Sequence, residues 1–185
     1  MSSTITTATP AVWQVDTAHT SAQFSVRHLM ISNVKGEFTK VTGTIVYDPA
    51  DLANSKVDVN IEADSINTRD AQRDGHLKSA DFLDTAKFPT LTFRSSRFLQ
   101  SGDGIKIQGD LTIHGVTREV VLDVEDLTPA VKDPWGFTRM GATATTRINR
   151  RDFGLTWNTA LETGGVLVGE EVKITLDIEA VSQKQ

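Results

Sequence analysis

Apolar and polar residues alternate with a period of two along most of this chain. The clearest runs lie at residues 57–64, 105–114 and 171–180, where apolar residues or glycine occupy every second position. Because successive side chains of a strand point to opposite faces, each run predicts a strand with one apolar and one polar face. Such strands are typical of antiparallel sheets that contact solvent on one side only.

Five weaker runs bring the number of predicted strands to about eight. They cover residues 21–28, 34–47, 91–94, 119–125 and 137–150. Turn-forming residues such as Asp, Pro, Ser and Gly lie between the runs. Strands of this kind either pack as a sandwich or close into a barrel. Since a closed barrel leaves no exposed edge strand, we expect an eight-stranded antiparallel β-barrel, with a sandwich as the alternative.

The alternation stops between Ile66 and Pro89, and a helical insertion is expected between about residues 67 and 84. Within this stretch Thr68–Asp74 predicts a short helix, for which Asn67 or Thr68 is the N-cap and which Gly75 interrupts or ends. The chain is therefore expected to be all-β with one short helical insertion.

The chain has 185 residues and shows neither an internal repeat nor a low-complexity linker. This length suits a single domain with a sizeable core, which we place at residues 12–182. The preceding residues 1–11 are small and polar, and we expect them to form a disordered tail. They lack the basic and apolar regions of a secretory signal, which predicts a cytoplasmic protein.

Composition argues against several classes of function. The chain has no cysteine, which excludes a disulfide framework, a thiolate metal site and a cysteine nucleophile. Its 24 acidic and 19 basic residues give a net charge of −5, whereas nucleic-acid-binding proteins usually carry a basic patch. No run approaches the roughly 18 apolar residues of a membrane span, so stable membrane insertion is not expected.

Sequence motifs give no support for catalysis. The nucleophile elbow, the zinc-protease helix and the phosphate-binding loop are all absent from the chain. The four histidines, His19, His28, His76 and His114, are dispersed, and we predict no metal site from them. An enzyme remains an alternative in which His28, His76 or Asp74 acts as an acid or base beside a cavity.

Several longer stretches of the sequence form motifs that are informative as a set. They are 15–20 (VDTAHT), 24–30 (FSVRHLM), 34–38 (VKGEF), 65–68 (SINT), 73–84 (RDGHLKSADFLD), 109–117 (GDLTIHGVT), 133–136 (DPWG), 149–155 (NRRDFGL) and 164–172 (GGVLVGEEV). In this order, from about residue 13 to residue 180, they resemble the YceI-like polyisoprenoid-binding family.

The resemblance implies a lipocalin-like, extended eight-stranded barrel around an elongated apolar cavity. Family members are described as binding long isoprenoid chains or other amphiphilic lipids there, so we expect non-catalytic binding, transport or storage of such a lipid. Many relatives are periplasmic and carry a signal peptide. This chain differs from them in that its first residues do not have the pattern of such a signal. The resemblance also favours a homodimer.

The inward face of the barrel is the predicted ligand-binding surface. Its predicted residues are Phe24, Val26, Phe38, Val59, Ile61, Phe93, Leu111, Ile113, Leu122, Met140 and Ile174. For a polar head group we expect contacts from Arg73, His76 or Arg150, because cationic side chains pair with phosphate. No cofactor is predicted beyond the bound lipid itself, such as a polyprenyl phosphate or a quinone. The remaining alternative is a stress-related interaction protein whose barrel is filled by its own side chains.

Overall fold

The fold consists mainly of β-strands in the computed structural model, which describes residues 10–182. The strands are β1 (Ala11–Val15), β2 (Ser21–His28), β3 (Ser32–Phe38), β4 (Val41–Tyr47), β5 (Lys56–Glu62), β6 (Ile66–Asn67), β7 (Thr90–Ser101), β8 (Gly104–Ile113), β9 (Val116–Glu125), β10 (Val131–Lys132), β11 (Thr138–Asn149) and β12 (Val168–Ser182). The α-helix α1 spans Ala71–Lys78.

Eight of these strands close a ring. Their order is β1-β4-β5-β7-β8-β9-β11-β12, and β12 pairs again with β1. All eight pairings are antiparallel. The eight-stranded antiparallel barrel expected from the sequence is confirmed, and the sandwich alternative is wrong.

The strands β2, β3 and β6 lengthen the wall of this barrel. β12 pairs with β1 near its carboxyl end and with β2 over most of its remaining length. Next to β1, the strands β4 and β5 follow in that order. Next to β2, the strands β3 and β6 follow in the same way. Three strands of the wall are therefore broken into two parts, and a turn of 3-10 helix at Thr17–His19 separates β1 from β2.

Two glycines of the wall leave room for aromatic rings inside the barrel. A Cβ atom at Gly36 would lie 2.5 Å from Cζ of Phe24, and one at Gly109 would lie 2.6 Å from Cζ of Phe93. Non-bonded carbon atoms pack at about 3.5–4.0 Å, so neither position admits a larger residue unless its ring moves. Glycine at these two positions thus sets the place of Phe24 and Phe93 in the interior.

Helix α1 lies within the predicted insertion but begins later than the pattern predicts. The backbone of Arg69 has a φ of 64°, which is incompatible with a helix starting at Thr68. The N-cap is instead Asp70, whose carboxylate accepts a hydrogen bond of 3.0 Å from the backbone N–H of Arg73. Both predicted caps are therefore wrong, and Gly75 lies inside the helix without ending it.

The tail predicted at residues 1–11 falls mainly on residues 1–9, which lie outside the described residues. Ala11 already belongs to β1, where it pairs with Tyr47 of β4. Within residues 10–182, no helix is both long enough and apolar enough to span a bilayer.

Candidate functional site

The barrel encloses a cavity of about 270 Å³, and the accessible wall of this cavity is apolar. Protein interiors are close-packed, with few voids larger than one water molecule, which needs about 10–15 Å³. The space is therefore far larger than a packing defect, and it approaches the roughly 300 Å³ at which ligand pockets begin. A barrel filled by its own side chains is not what the structure shows.

The structure places all eleven predicted wall residues around this cavity. They are Phe24, Val26, Phe38, Val59, Ile61, Phe93, Leu111, Ile113, Leu122, Met140 and Ile174. Several of them, such as Phe24, Val26 and Ile174, are only half-buried although they point into the barrel. An inward side chain keeps accessible surface only where the interior is hollow, so their partial exposure is a direct consequence of the cavity.

Some further wall residues lie outside the alternating runs, so the sequence pattern could not identify them. Leu77 of α1 and the following Phe82 and Leu83 cover one end of the cavity. Leu127 and Leu155, which lie in loops, also contribute to the wall. The apolar pair Phe82–Leu83 within the charged stretch 69–84 was the one signal that could have identified the covering segment.

Arg150 is the head-group candidate that reaches the cavity wall, and it is only 4% exposed. Its Nε donates to the carbonyl oxygen of Gly169 at 2.8 Å, and its Nη1 donates to those of Leu155 and Trp157 at 2.7 and 2.9 Å. Its Nη2 donates a longer bond of 3.3 Å to the carbonyl oxygen of Val168. The guanidinium is thus held by backbone carbonyls of the loop before β12 and of the first two residues of β12.

The charge of Arg150 has no carboxylate partner among the described residues. The guanidinium group has five N–H donors, and the four hydrogen bonds to carbonyl oxygens leave one N–H of Nη2 without an acceptor among the described residues. Burial lowers the pKa of Arg150 below its usual value, with the neighbouring Glu170 acting in the opposite direction. Since arginine stays protonated in proteins, the cavity has one fixed positive charge on its wall.

The other two head-group candidates lie outside the cavity wall. The guanidinium of Arg73 donates to the side-chain and backbone oxygens of Thr68, both at 2.8 Å. The ring of His76 lies 2.8 Å from the carboxylate of Asp81 and makes an edge contact with Trp157, with 4.7 Å between ring centroids. Neither Arg73 nor His76 lines the cavity, so the expected role of each at a head group has no support from its position.

The acid–base groups of the enzyme alternative are also absent from the wall. Asp74 accepts two hydrogen bonds from Thr68, one from its backbone N–H and one from its hydroxyl. His28 does not line the cavity, and the titratable side chains that do are Tyr47 and Arg150. The cavity therefore offers no carboxylate or histidine within residues 10–182 that could move a proton to or from a bound molecule.

A second, polar hollow of about 430 Å³ lies where β9 and β11 separate. The two strands pair only at Thr143–Thr145 and Asp123–Glu125, although both continue beyond these residues. Val120, Thr146 and Ile148 line the hollow as well as the cavity. A single layer of residues thus separates the cavity from the outer surface at this gap in the hydrogen-bonded wall.

A cluster of charged groups joins the ends of β1, β11 and β12. Nη1 of Arg139 lies 2.6 Å from Asp16 and 2.7 Å from Glu179, and its Nε lies 2.8 Å from Asp133. Ligand atoms of Asp16, His19 and Glu179 lie within 4.8 Å of one another, a spacing that would suit a metal ion. Because the guanidinium of Arg139 already binds two of these three groups, the cluster is an ion-pair network.

Replacing Arg139 with methionine should change the acid sensitivity of the fold. Hydrogen bonds from Arg139, and then from His19, lower the pKa of Asp16 to about 2. A carboxylate with a lowered pKa stabilises the folded state above about pH 4, and this contribution is lost as the pH falls to about 2. Urea unfolding between pH 2 and pH 7 should show this loss in the native protein and a smaller loss in Arg139→Met.

The matched control for this experiment is Arg147→Met. Arg147 pairs with Glu171 on the outer surface, where both side chains are more than 60% exposed, so its removal should leave the pH dependence as it is. Equal acid sensitivity of the native protein and Arg139→Met would contradict the stabilising role of the network.

Comparison with known proteins agrees with this architecture. The YceI-like domain family matches residues 13–180. A UPF0312 protein of Vibrio cholerae serotype O1 is 43% identical over 151 residues, which cover 80% of this chain and 79% of that protein.

Two solved structures show the same fold. The YceI protein of Campylobacter jejuni is 33% identical, with a TM-score of 0.71 over 85% of this chain and 90% of its own. A polyisoprenoid binding domain from Saccharophagus degradans, implicated in plant cell wall breakdown, is 15% identical, with a TM-score of 0.68 over 94% and 99% of the two chains. The match over residues 13–180 and the close relatives establish that this chain belongs to the YceI-like domain family.

Proposed function

We propose that the barrel binds the chain of a long isoprenoid or another amphiphilic lipid, and that the protein carries or stores this lipid without converting it. The observation on which this rests is the apolar cavity of about 270 Å³ inside a closed barrel. A cavity with an apolar wall selects a ligand whose buried part is apolar too. The polyisoprenoid binding domain of Saccharophagus degradans shares the fold, which supports an isoprenoid as the ligand class.

The energetics favour a hydrocarbon chain. Burying each methylene group is worth about 0.8 kcal/mol, so ten chain carbons contribute roughly 8 kcal/mol before any polar contact is made. The loss of translational freedom and the ordering of the chain offset part of this gain. A lipid of moderate length would therefore bind well through its chain alone.

We assign the head group to the neighbourhood of Arg150. This residue combines a fixed charge on the cavity wall with one N–H that no described carbonyl or carboxylate accepts. An anionic group such as a phosphate forms short, charge-assisted hydrogen bonds with a guanidinium. A lipid with a phosphate head group should therefore bind more tightly than the corresponding alcohol.

Binding of prenyl alcohols of increasing length tests the proposal. Geraniol, farnesol and geranylgeraniol differ by one five-carbon unit each, and affinity should rise at least about tenfold per unit until the cavity is full. Displacement of an environment-sensitive apolar dye from the delipidated protein gives the dissociation constants. Affinity that does not change with chain length would contradict binding of the chain inside the barrel.

Geranylgeranyl phosphate extends this series to the head group. It should bind more tightly than geranylgeraniol. High salt should reduce this difference in affinity without abolishing it, because the charge of the buried Arg150 is only weakly screened.

The cytoplasmic location and the homodimer stay predictions from the sequence.

A further inference from the structure

The turn between β2 and β3 exposes three consecutive apolar residues. Leu29, Met30 and Ile31 are 38%, 53% and 74% exposed, and we call them the apolar tip. The turn lies beside the loop before β12, where the backbone N–H of Leu29 donates to the carbonyl oxygen of Leu167 at 2.9 Å. A continuous apolar surface at the end of a hairpin is characteristic of an interaction site, because folding alone gives no reason to expose it.

The backbone of the apolar tip is also unusual. The N–H of Ile31 donates to the carbonyl oxygen of His28 at 3.1 Å, and the two residues between them, Leu29 and Met30, have φ angles of 52° and 63°. Positive φ at both central positions favours Asn-Gly and disfavours bulky side chains. The chain thus places two large apolar residues where the turn geometry favours small or polar ones, as strained functional positions do.

Basic residues lie below the apolar tip, on the outer face of the strands that carry it and of the adjoining β12. Lys35 of β3 and Lys173 of β12 flank Ser25 of β2 in the strand register, and Arg27 lies closer to the turn. All three basic side chains are exposed, and no ion pair found among residues 10–182 includes them. The local charge is therefore opposite in sign to the net charge of −5 of the whole chain.

The nearest acidic residues of β12 do not cancel this charge. Glu170 pairs with Arg151 at 2.9 Å and Glu171 pairs with Arg147 at 2.5 Å.

Glu162, in the loop beside the turn, is exposed, and its negative charge offsets part of the positive charge of Arg27, Lys35 and Lys173. Glu37, two residues beyond Lys35 on the same face of β3, is a second carboxylate without an ion pair in the described part of the chain. Arg27 donates to the carbonyl oxygen of Met30 at 3.1 Å and keeps its charge. Three cations against these two carboxylates leave a smaller, positive excess at this end of the hairpin.

We propose that the apolar tip, together with Arg27, Lys35 and Lys173, docks the barrel on the surface of an anionic phospholipid bilayer. Apolar side chains enter the boundary between head groups and acyl chains, and lysine and arginine around them meet the lipid phosphates. This combination fits a lipid surface better than a protein partner, because it needs no shape-complementary pocket for the three side chains.

The docked end is also the end at which Arg150 lies. Val168, whose carbonyl oxygen accepts from Arg150, pairs with His28 at the base of the hairpin. The purpose of docking rests on the proposed function: a lipid would pass between the bilayer and the cavity at this end, with its head group beside Arg150. Docking itself can be measured without any prenyl lipid.

The decisive variant is Leu29→Asn combined with Met30→Gly, which restores the sequence that the turn favours. It should raise the stability of the protein, because it relieves the positive φ angles, and yet weaken binding to vesicles at least tenfold. Vesicles of phosphatidylcholine with 30% phosphatidylglycerol serve as the probe, and co-sedimentation with the native full-length chain gives the reference affinity. A purely structural turn would show the gain in stability without the loss of binding.

Trp135→Ser is the matched control. Trp135 is 70% exposed in the turn between β10 and β11, and β11 begins where β12 ends, at the opposite end of the barrel. This variant should bind vesicles like the native protein, whereas Arg27→Gln with Lys35→Gln and Lys173→Gln should remove the dependence on phosphatidylglycerol. Vesicle binding that survives Leu29→Asn/Met30→Gly, or that is lost in Trp135→Ser, would overturn the proposal.

Uptake of farnesol from ethanol solution separates this proposal from the proposed function. The variant of the apolar tip should take up farnesol like the native protein. If the native protein takes up farnesol but does not bind the vesicles at low salt, docking is wrong and lipid binding stands. If the native protein takes up no farnesol, the proposed function fails, whatever the vesicles show.

Discussion

Replacing Ala144 with phenylalanine is expected to weaken prenyl-lipid binding at least about tenfold while the barrel stays folded. Ala144 lies on β11 between Val124 of β9 and Leu176 of β12, and all three residues line the cavity. The phenyl ring occupies about the space of one five-carbon unit, whose burial is worth roughly 4 kcal/mol at about 0.8 kcal/mol per carbon. Even partial displacement of that unit costs more than the 1.4 kcal/mol that corresponds to a factor of ten.

The matched control is Thr145→Phe, one residue further along β11. The neighbours Ala144 and Thr146 both line the cavity, so Thr145 points away from it. Thr145→Phe should bind the dye and geranylgeraniol like the native protein. Equal affinity in Ala144→Phe and the native protein would mean that the ligand lies elsewhere. Far-ultraviolet circular dichroism and thermal unfolding show whether both variants are folded.

Replacing Arg150 with methionine should destabilise the fold by about 3–5 kcal/mol. The substitution leaves the carbonyl oxygens of Leu155, Trp157 and Gly169 without this donor at a position where Arg150 is 4% exposed. The carbonyl oxygen of Val168 keeps a hydrogen bond of 2.8 Å from the side chain of Asn158. Each buried acceptor that loses its partner costs about 1–3 kcal/mol, and water entering from the cavity recovers part of this sum. Urea unfolding at neutral pH measures the effect.

Arg151→Met is the control for this effect, since it removes the same side chain one position later. Arg151 is 57% exposed and pairs with Glu170 on the surface, so its loss should cost less than about 1 kcal/mol. Equal, small losses in both variants would show that Arg150 does not anchor the segment before β12. Arg150→Lys keeps the charge but not the fork of donors, and it should lose stability while retaining the preference for a phosphate head group.

The barrel and the composition of its wall could be predicted from the alternation of residue types. Val59 and Ile61 of β5 illustrate why: once a strand has one apolar face, closure of the sheet decides that this face points inward. Side-chain direction within a strand is a local property, so the sequence carries it. The eleven predicted wall residues all lie on strands for this reason.

The remaining parts of the site depend on long-range geometry that no local pattern contains. The volume of the cavity depends on how closely opposite walls approach. The start of α1 depends on the left-handed backbone of Arg69, which moves the N-cap to Asp70. The difference between Arg73 and Arg150 is of the same kind. Both arginines are predicted contacts of a head group, but only Arg150 lines the cavity, where it donates to carbonyl oxygens of a segment that has no periodicity.

Native mass spectrometry of the protein, purified without detergent, tests the central claim most directly. Lipid binding inside the barrel predicts a population whose mass exceeds that of the 185-residue chain by the mass of a lipid, which organic extraction then releases. The same measurement on Ala144→Phe should show a smaller lipid-bound fraction, and on Thr145→Phe an unchanged one. A protein that carries no lipid and acquires none after incubation with geranylgeraniol or geranylgeranyl phosphate would contradict the account.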